Sequence, residues 1–152
     1  MPQSLAEIKE LLASRGLSPL KRFGQNFLID QNLVAKLVDE SGVAPGELVL
    51  EVGPGTGTLT EELLGRGCEV IACELDRGLA AMLRDRLGSH ERFTLVEGDC
   101  LASKRHVAAE ITDAIGGRPF ALVANLPYGA ATPLMLALLT EHPHCRGMFV
   151  TI

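Results

Sequence analysis

Four stretches of this sequence gather the side chains that could do chemistry, and each begins where an apolar run gives out. EVGPGTGTLT at 51–60 follows such a run and sets Gly53, Gly55 and Gly57 at alternate positions before a helical pattern. Glycines there let the chain turn tightly and let a ligand approach peptide N–H groups. CEVIACEL at 68–75 closes on Glu74, placed to accept hydrogen bonds from both hydroxyls of a ribose. FTLVEGD at 93–99 closes on Asp99, an acid suited to an adenine amine. FALVANLPY at 120–128 closes on Asn125, Leu126, Pro127 and Tyr128, the one tyrosine of the chain. A turn alone would account for Asn125 and Pro127, and helix capping for either acid. A glycine loop, an acid and an acid at successive strand ends describe a nucleoside site.

The charge beside the loop narrows the nucleoside. The spacing is G-x-G-x-G rather than the dinucleotide G-x-G-x-x-G, and no GxxxxGK[ST] occurs. Glu51 would repel a pyrophosphate at this loop, whereas it would attract a ligand carrying an ammonium and a sulfonium. S-adenosylmethionine is therefore expected ahead of NAD or ATP.

These positions need a scaffold that delivers four strand ends to one place. Ser4 and Glu7 stand at capping-box spacing before Leu5, Ile8, Leu11 and Leu12, which recur at helical intervals. Asp30 can cap a second helix with Leu33, Val34, Leu37 and Val38 on one face, ending at Gly42. ELVLEV, CEVIACEL, FTLVEG, FALVAN and GMFVTI then read as strands. They alternate with helices expected over TLTEELLGRG, DRGLAAMLRDRLG, SKRHVAAEITDAIG and TPLMLALLTEH. Short strands apolar on both faces, separated by helices, predict an α/β, doubly wound, mainly parallel sheet with helices on both faces. Ligands of such sheets bind beyond the carboxyl ends of the strands. The expectation is one domain over 1–152, with helices and an irregular flap in 1–45 and a Rossmann-like core in 46–152. The sequence stops inside a strand, which reads as a fragment lacking the final strands.

Composition excludes several classes. The 152 residues are 47% hydrophobic and 22% charged, a profile for a globular domain rather than a disordered one. No apolar run reaches the length of a membrane span, and Glu7 and Glu10 argue against a secretory signal, so a cytoplasmic location is expected. With 14 Lys and Arg against 19 Asp and Glu, the net charge of −5 leaves room only for a local nucleic-acid patch. Cys68, Cys73, Cys100 and Cys145 form no CxxC pair, and HPHC at 142–145 lacks a second ligand cluster, so no metal is expected. Cys68 and Cys73 should point to opposite faces of one strand.

FGQNFLID at 23–30, LEVGPGTGTLT at 50–60, CELD at 73–76, EGDC at 97–100 and NLPYGAATP at 125–133 together resemble the ribosomal RNA adenine N6-dimethyltransferases, over nearly the whole chain. The resemblance implies a class I methyltransferase fold, S-adenosylmethionine as cofactor, and two adjacent adenosines near the 3′ end of small-subunit ribosomal RNA as target. It implies that Gln25, Asn26 and Leu28 close over the cofactor, and that Gly53 and Gly55 pass close to its methionine part with Glu51 nearby. Glu74 would hold the ribose, Asp99 the adenine amine, and Asn125 would lie beside the methyl donor. The family's further strands and small helical domain have no counterpart here, and its members imply a monomeric parent acting on a ribosome precursor particle. Macrolide-resistance enzymes, which modify large-subunit RNA, look similar but more often carry NIPY. An enzyme acting on DNA adenine or a protein amide is a further alternative, which GQNFL argues against. A cofactor-binding assembly module without turnover is another. Lys21 and Arg22 are candidates for an RNA phosphate contact, and Phe23 or Phe27 for covering a base.

On that resemblance, the Asn125 side-chain oxygen and the Leu126 carbonyl would accept the N–H hydrogens of an adenine N6 amine, and Pro127 would set the chain direction. Tyr128 would stack on a base presented unpaired. The final strand is expected to be an uncovered sheet edge that self-associates at high protein concentration. Light scattering checks this, and a monodisperse monomer at high concentration would count against it.

Overall fold

Val, Leu and Ile dominate the segments that pair into the central sheet, because only strands apolar on both faces can be sandwiched between helices. The fold is that of a computed structural model describing Glu10 and residues 31–151. The expected first helix, Asp30, the basic pair Lys21 and Arg22, Phe23 and Phe27, and the flap residues Gln25, Asn26 and Leu28 lie outside the described residues. In chain order the elements are α1 (Gln31–Ser41), β1 (Leu48–Val52), α2 (Thr58–Gly65), β2 (Glu69–Glu74), α3 (Arg77–Leu87) and β3 (Phe93–Glu97). They are followed by β4 (Leu101–Ser103), β5 (His106–Val107), α4 (Ala109–Ile115), β6 (Phe120–Asn125), α5 (Tyr128–Glu141) and β7 (Cys145–Thr151).

Among the described residues, five strands form one sheet in the order β3-β2-β1-β6-β7, every pair parallel. The chain winds outward from β1 through β2 to β3, then returns to lay β6 on the other side of β1. That reversal between β1 and β6 is a topological switch point, where the crossovers leave in opposite directions and a crevice opens beyond the strand ends. The expected α/β class and doubly wound parallel sheet are observed.

Period-two alternation divides the core between the two faces. Leu48, Leu50, Ile71, Cys73, Phe120, Leu122 and Ala124 point to the face covered by Ile111 and Ile115 of α4 and Leu134 and Leu138 of α5. Val49, Val70, Ala72 and Val123 point to the other, with Val34 and Val38 of α1 and Leu59 and Leu63 of α2. Cys68 and Cys73 fall on opposite faces, as their odd offset requires. In α1, Val34, Leu37 and Val38 are buried, but Leu33 is 53% exposed, so the buried stripe is narrower than the sequence pattern. Gly42 ends this helix at φ 68°.

Two segments differ from expectation. SKRHVAAEITDAIG is not one helix: its first part belongs to the β4–β5 hairpin, with Lys104 and Arg105 in the turn, and α4 begins only at Ala109. The Asp99 carboxylate accepts the Leu101 N–H at 2.9 Å, and Ala108 N–H reaches the Cys100 carbonyl at 2.7 Å. The Glu141 carboxylate takes the Val107 N–H at 2.7 Å. These bonds satisfy the backbone as a hairpin before a helix can use it. Helix α5 starts at Tyr128, four residues ahead of TPLMLALLTEH, because Pro127 provides an N-terminal boundary at φ −59°, ψ 147°.

Gly57, at the N-terminal boundary of α2, has φ +90°, and an added Cβ would lie 3.0 Å from Cδ2 of Leu83 in α3. Gly57→Ala should therefore lower stability by about 1–2 kcal/mol, from the left-handed backbone and the tight contact together. Urea unfolding of the two proteins measures this, and equal midpoints would show that the loop relaxes freely.

Candidate functional site

The switch point opens a cleft of about 130 Å³. Its walls come from the carboxyl ends of β1, β2, β3 and β6, which is why residues far apart in the chain meet there. Gly53, Gly55, Glu74, Asp99, Asn125, Leu126 and Pro127 all line it. Glu51 does not, and the flap residues Gln25, Asn26 and Leu28 fall outside the described part.

Glu74 is 2% exposed. Its Oε1 accepts the Gly55 N–H at 3.0 Å and its Oε2 the Asp76 N–H at 2.9 Å. Burial raises its pKa, opposed by the Asp76 and Gly55 N–H groups. Capping of α3 belongs to Asp76, whose Oδ1 accepts from Gly78 N at 2.8 Å and Leu79 N at 3.1 Å. Glu74 and Asp76, two residues apart, thus have separate tasks. Glu74 holds the glycine loop against the end of β2, aided by Gly53 N–H to the Cys73 carbonyl at 2.9 Å.

Glu51 lies on the opposite face of β1, 1% exposed, and accepts the hydroxyl of Thr60 in α2. Burial pushes its pKa up to about 8; the Thr60 hydrogen bond lowers it, and the Glu74 charge raises it further. Near neutral pH this carboxyl is largely protonated, so the attraction to a cationic ligand that the sequence suggested is weakened. Glu74 and Asp99 are the acids that the cleft itself presents.

At the fourth strand end, the Asn125 Oδ1 accepts the Thr151 hydroxyl at 2.8 Å, and Leu126 N–H reaches the Thr151 carbonyl at 2.9 Å. Pairing of β6 with β7 thereby continues one residue past the strand and sets the direction of the Asn125 amide. Leu126 is also a wall shared with a second cleft, of about 430 Å³, between the β4–β5 hairpin and α5. Val52, Asp99, Cys100 and Ala130 border both clefts. Lys104 stands at the second cleft, as do Gly129 and Pro133. Pro133 lacks the N–H that a helix would return to the Gly129 carbonyl.

Sequence reasoning missed Thr151, Leu75, Cys73, Cys100 and Lys104. Leu75 was visible as an apolar residue just past the strand-end acid; it is 45% exposed and lines the first cleft, a surface for a flat ring. Lys104 was hidden by the helical reading of its segment. Among the described residues, no group of three or more His, Cys, Asp or Glu side chains could hold a metal ion. His142, from HPHC, packs edge-on against Phe120 and lies 3.3 Å from the Thr112 hydroxyl. No helix of the described residues is long and apolar enough to cross a membrane.

A family model described as ribosomal RNA adenine dimethylase matches residues 18–152. A ribosomal RNA small subunit methyltransferase A of Magnetococcus marinus is 46% identical over 89% of this chain and 47% of its own length. The chain spans about half the length of the curated relatives it matches. Among solved structures, 23S rRNA methyltransferase ErmE superposes with a TM-score of 0.65 at 33% identity, over 81% of this chain and 47% of that one. The glycopeptide N-methyltransferase MtfA complexed with S-adenosyl-L-methionine gives a TM-score of 0.56 at 26% identity, over 78% of this chain and 53% of that one.

The Glu51 geometry predicts a pH dependence. Its folded pKa of about 8 exceeds the ordinary 4.5. Between those values the folded state holds a proton that the unfolded state releases, so stability falls as pH rises through that window. Glu51→Gln should flatten the fall, making the variant gain on the native protein between pH about 5 and about 8 by roughly 1–3 kcal/mol. Urea midpoints at both pH values measure it, and parallel profiles would show that the carboxyl is not protonated.

Proposed function

The chain belongs to the ribosomal RNA adenine dimethylase family, and from that premise we propose that its first cleft holds S-adenosylmethionine and that the whole protein dimethylates adenine N6 of small-subunit ribosomal RNA. The observation that carries this reading is the convergence of loop, acid, acid and Asn125 at one switch point. The donor set fits the cofactor. Glu74 is placed for a ribose, Asp99 for an adenine amine, the Leu75 side chain for the purine face, and the Gly53–Gly55 backbone for the methionine part. Gln25, Asn26 and Leu28 are proposed to close over it. When bound, the cofactor supplies an electrophilic methyl on a sulfonium.

The residues of this chain then position and polarise the acceptor. The adenine N6 lone pair is delocalised into the ring. Accepting both N–H hydrogens, at the Asn125 Oδ1 and the Leu126 carbonyl, favours a pyramidal nitrogen whose lone pair can be aimed. Both acceptors are neutral, Thr151 keeps the amide oriented, and Pro127 fixes the direction of the carbonyl. Tyr128 stacks on the base. Alignment supplies much of the rate in such an in-line transfer, and the protonated product is acidic enough to need no strong base. The second cleft adjoins the Leu126 wall and suits the target nucleoside, with Lys104 at hand for its phosphate.

The 40–46% identity to small-subunit enzymes favours that RNA over the large-subunit target named for ErmE, at 33%. The finer reading is two adjacent adenosines near the RNA 3′ end, modified on a ribosome precursor by a cytoplasmic, monomeric parent protein.

Calorimetry should register S-adenosylmethionine binding to this chain, and Asp99→Asn should weaken it about tenfold or more, the worth of a hydrogen bond to a charged group. On undermethylated small subunits, the chain should turn over poorly compared with a full-length relative. Absence of binding would overturn the cofactor assignment, and full-length-like turnover would overturn the expectation that this chain alone turns over poorly.

A further inference from the structure

Two thiols border the first cleft, each next in sequence to one of its acids. Cys73 immediately precedes Glu74, and Cys100 immediately follows Asp99. Both line the cleft and both belong to the same apolar cluster, on the sheet face away from Cys68. The end of β2 and the turn after β3 are tied by the Gly98 N–H to the Glu74 carbonyl at 2.8 Å. The Cys73 Sγ lies 3.2 Å from the Gly98 carbonyl oxygen, two residues before Cys100, and Cys100 is close enough to raise the pKa of the Cys73 thiol. No step of the proposed methyl transfer uses either sulfur.

We propose that Cys73 and Cys100 form a modification site, a dithiol that closes into an intramolecular disulfide when a small cationic disulfide enters the cleft. The exposed Asp99 carboxylate at the mouth gives the cleft an acid to draw in such a reagent, and the cleft is the route by which these otherwise buried sulfurs are reached. Cys100 borders both clefts whereas Cys73 borders only the first, so a reagent meets Cys100 first and the first attack falls to it. The Cys100 thiol loses its proton to solvent and attacks one sulfur of the reagent, forming a mixed disulfide and expelling one reagent thiolate. Cys73 then gives up its proton and attacks the Cys100 sulfur, forming the Cys73–Cys100 bond and expelling nothing but the second reagent thiolate. The two protein thiols are oxidised by two electrons, and the reagent disulfide is reduced to two thiols.

Closure has a consequence that rests on the nucleoside reading of the same cleft. A disulfide holds its two Cβ atoms within about 3.5–4.5 Å. Drawing these two together moves the adjoining Glu74 and Asp99, so the oxidised chain loses the acids' spacing. A ligand filling the cleft shields the sulfurs in turn.

Cystamine treatment of the native chain, followed by peptide mapping, tests the site without any variant. The expected product is one peptide pair joined through Cys73 and Cys100, short of two hydrogens and reversed by dithiothreitol. Bonds to Cys68 or Cys145, persistent mixed disulfides, or two free thiols would overturn the proposal. Cys100→Ser should abolish the crosslink while leaving the chain folded by circular dichroism. S-adenosylmethionine should slow closure, and calorimetry should show affinity reduced about tenfold or more after closure and restored by reduction. Equal affinity in the two states would overturn the coupling to ligand. A reduced chain that binds no cofactor would instead refute the cofactor assignment, with the crosslink still deciding the thiol site.

Discussion

The Glu74 carboxylate joins three parts of the fold with its two oxygens. One holds the Gly55 N–H of the loop after β1, the other the Asp76 N–H at the start of α3, and the residue itself ends β2. A buried polar group left without its hydrogen bonds costs about 1–3 kcal/mol, so these two bonds hold the joint together. The glycine loop therefore has its shape before a ligand arrives. Everything else at the cleft is positioned relative to this joint: the Gly53 N–H on the Cys73 carbonyl, the Gly98 N–H on the Glu74 carbonyl, and Asp99 just beyond.

A second buried acid stands nearby and behaves differently. Glu74 receives two backbone donors, whereas Glu51 has the Thr60 hydroxyl and a face packed against α2. With less to stabilise its charge, Glu51 keeps its proton into the neutral range, and the Glu74 charge reinforces this. Burial raises the pKa of both carboxyls; Glu51 serves as a polar clasp between strand and helix, and Glu74 is the one that lines the cleft.

The NLPY segment acts as a partition. Asn125 and Leu126 are fixed by Thr151 on the edge strand β7, so the acceptors at the end of β6 depend on a residue in the last part of the chain. Leu126 then faces two clefts, one suited to a cofactor and one to its substrate. The hairpin after Asp99 forms the far wall of the second cleft and brings a basic side chain to it, in a chain whose overall charge is acidic.

The sequence by itself determined the sheet, its parallel sense and the strand ends, because alternating apolar runs and glycine turns are local signals carried by side-chain type and period. It also determined that Gly55, Glu74, Asp99 and Asn125 fall at successive strand ends, which is a matter of counting. It could not show Lys104 at the second cleft, since the hairpin is chosen by the Asp99 and Glu141 carboxylates, and Glu141 comes from a distant helix. It read Glu51 as a charge, whereas burial, with the neighbouring Glu74, raises its pKa to about 8. The contact of Thr151 with Asn125, and the meeting of Cys73 and Cys100 at one cleft, join residues 26 and 27 positions apart. Those pairs were decided by the tertiary structure, because their adjacency arises from strand order and register, neither of which any single segment encodes.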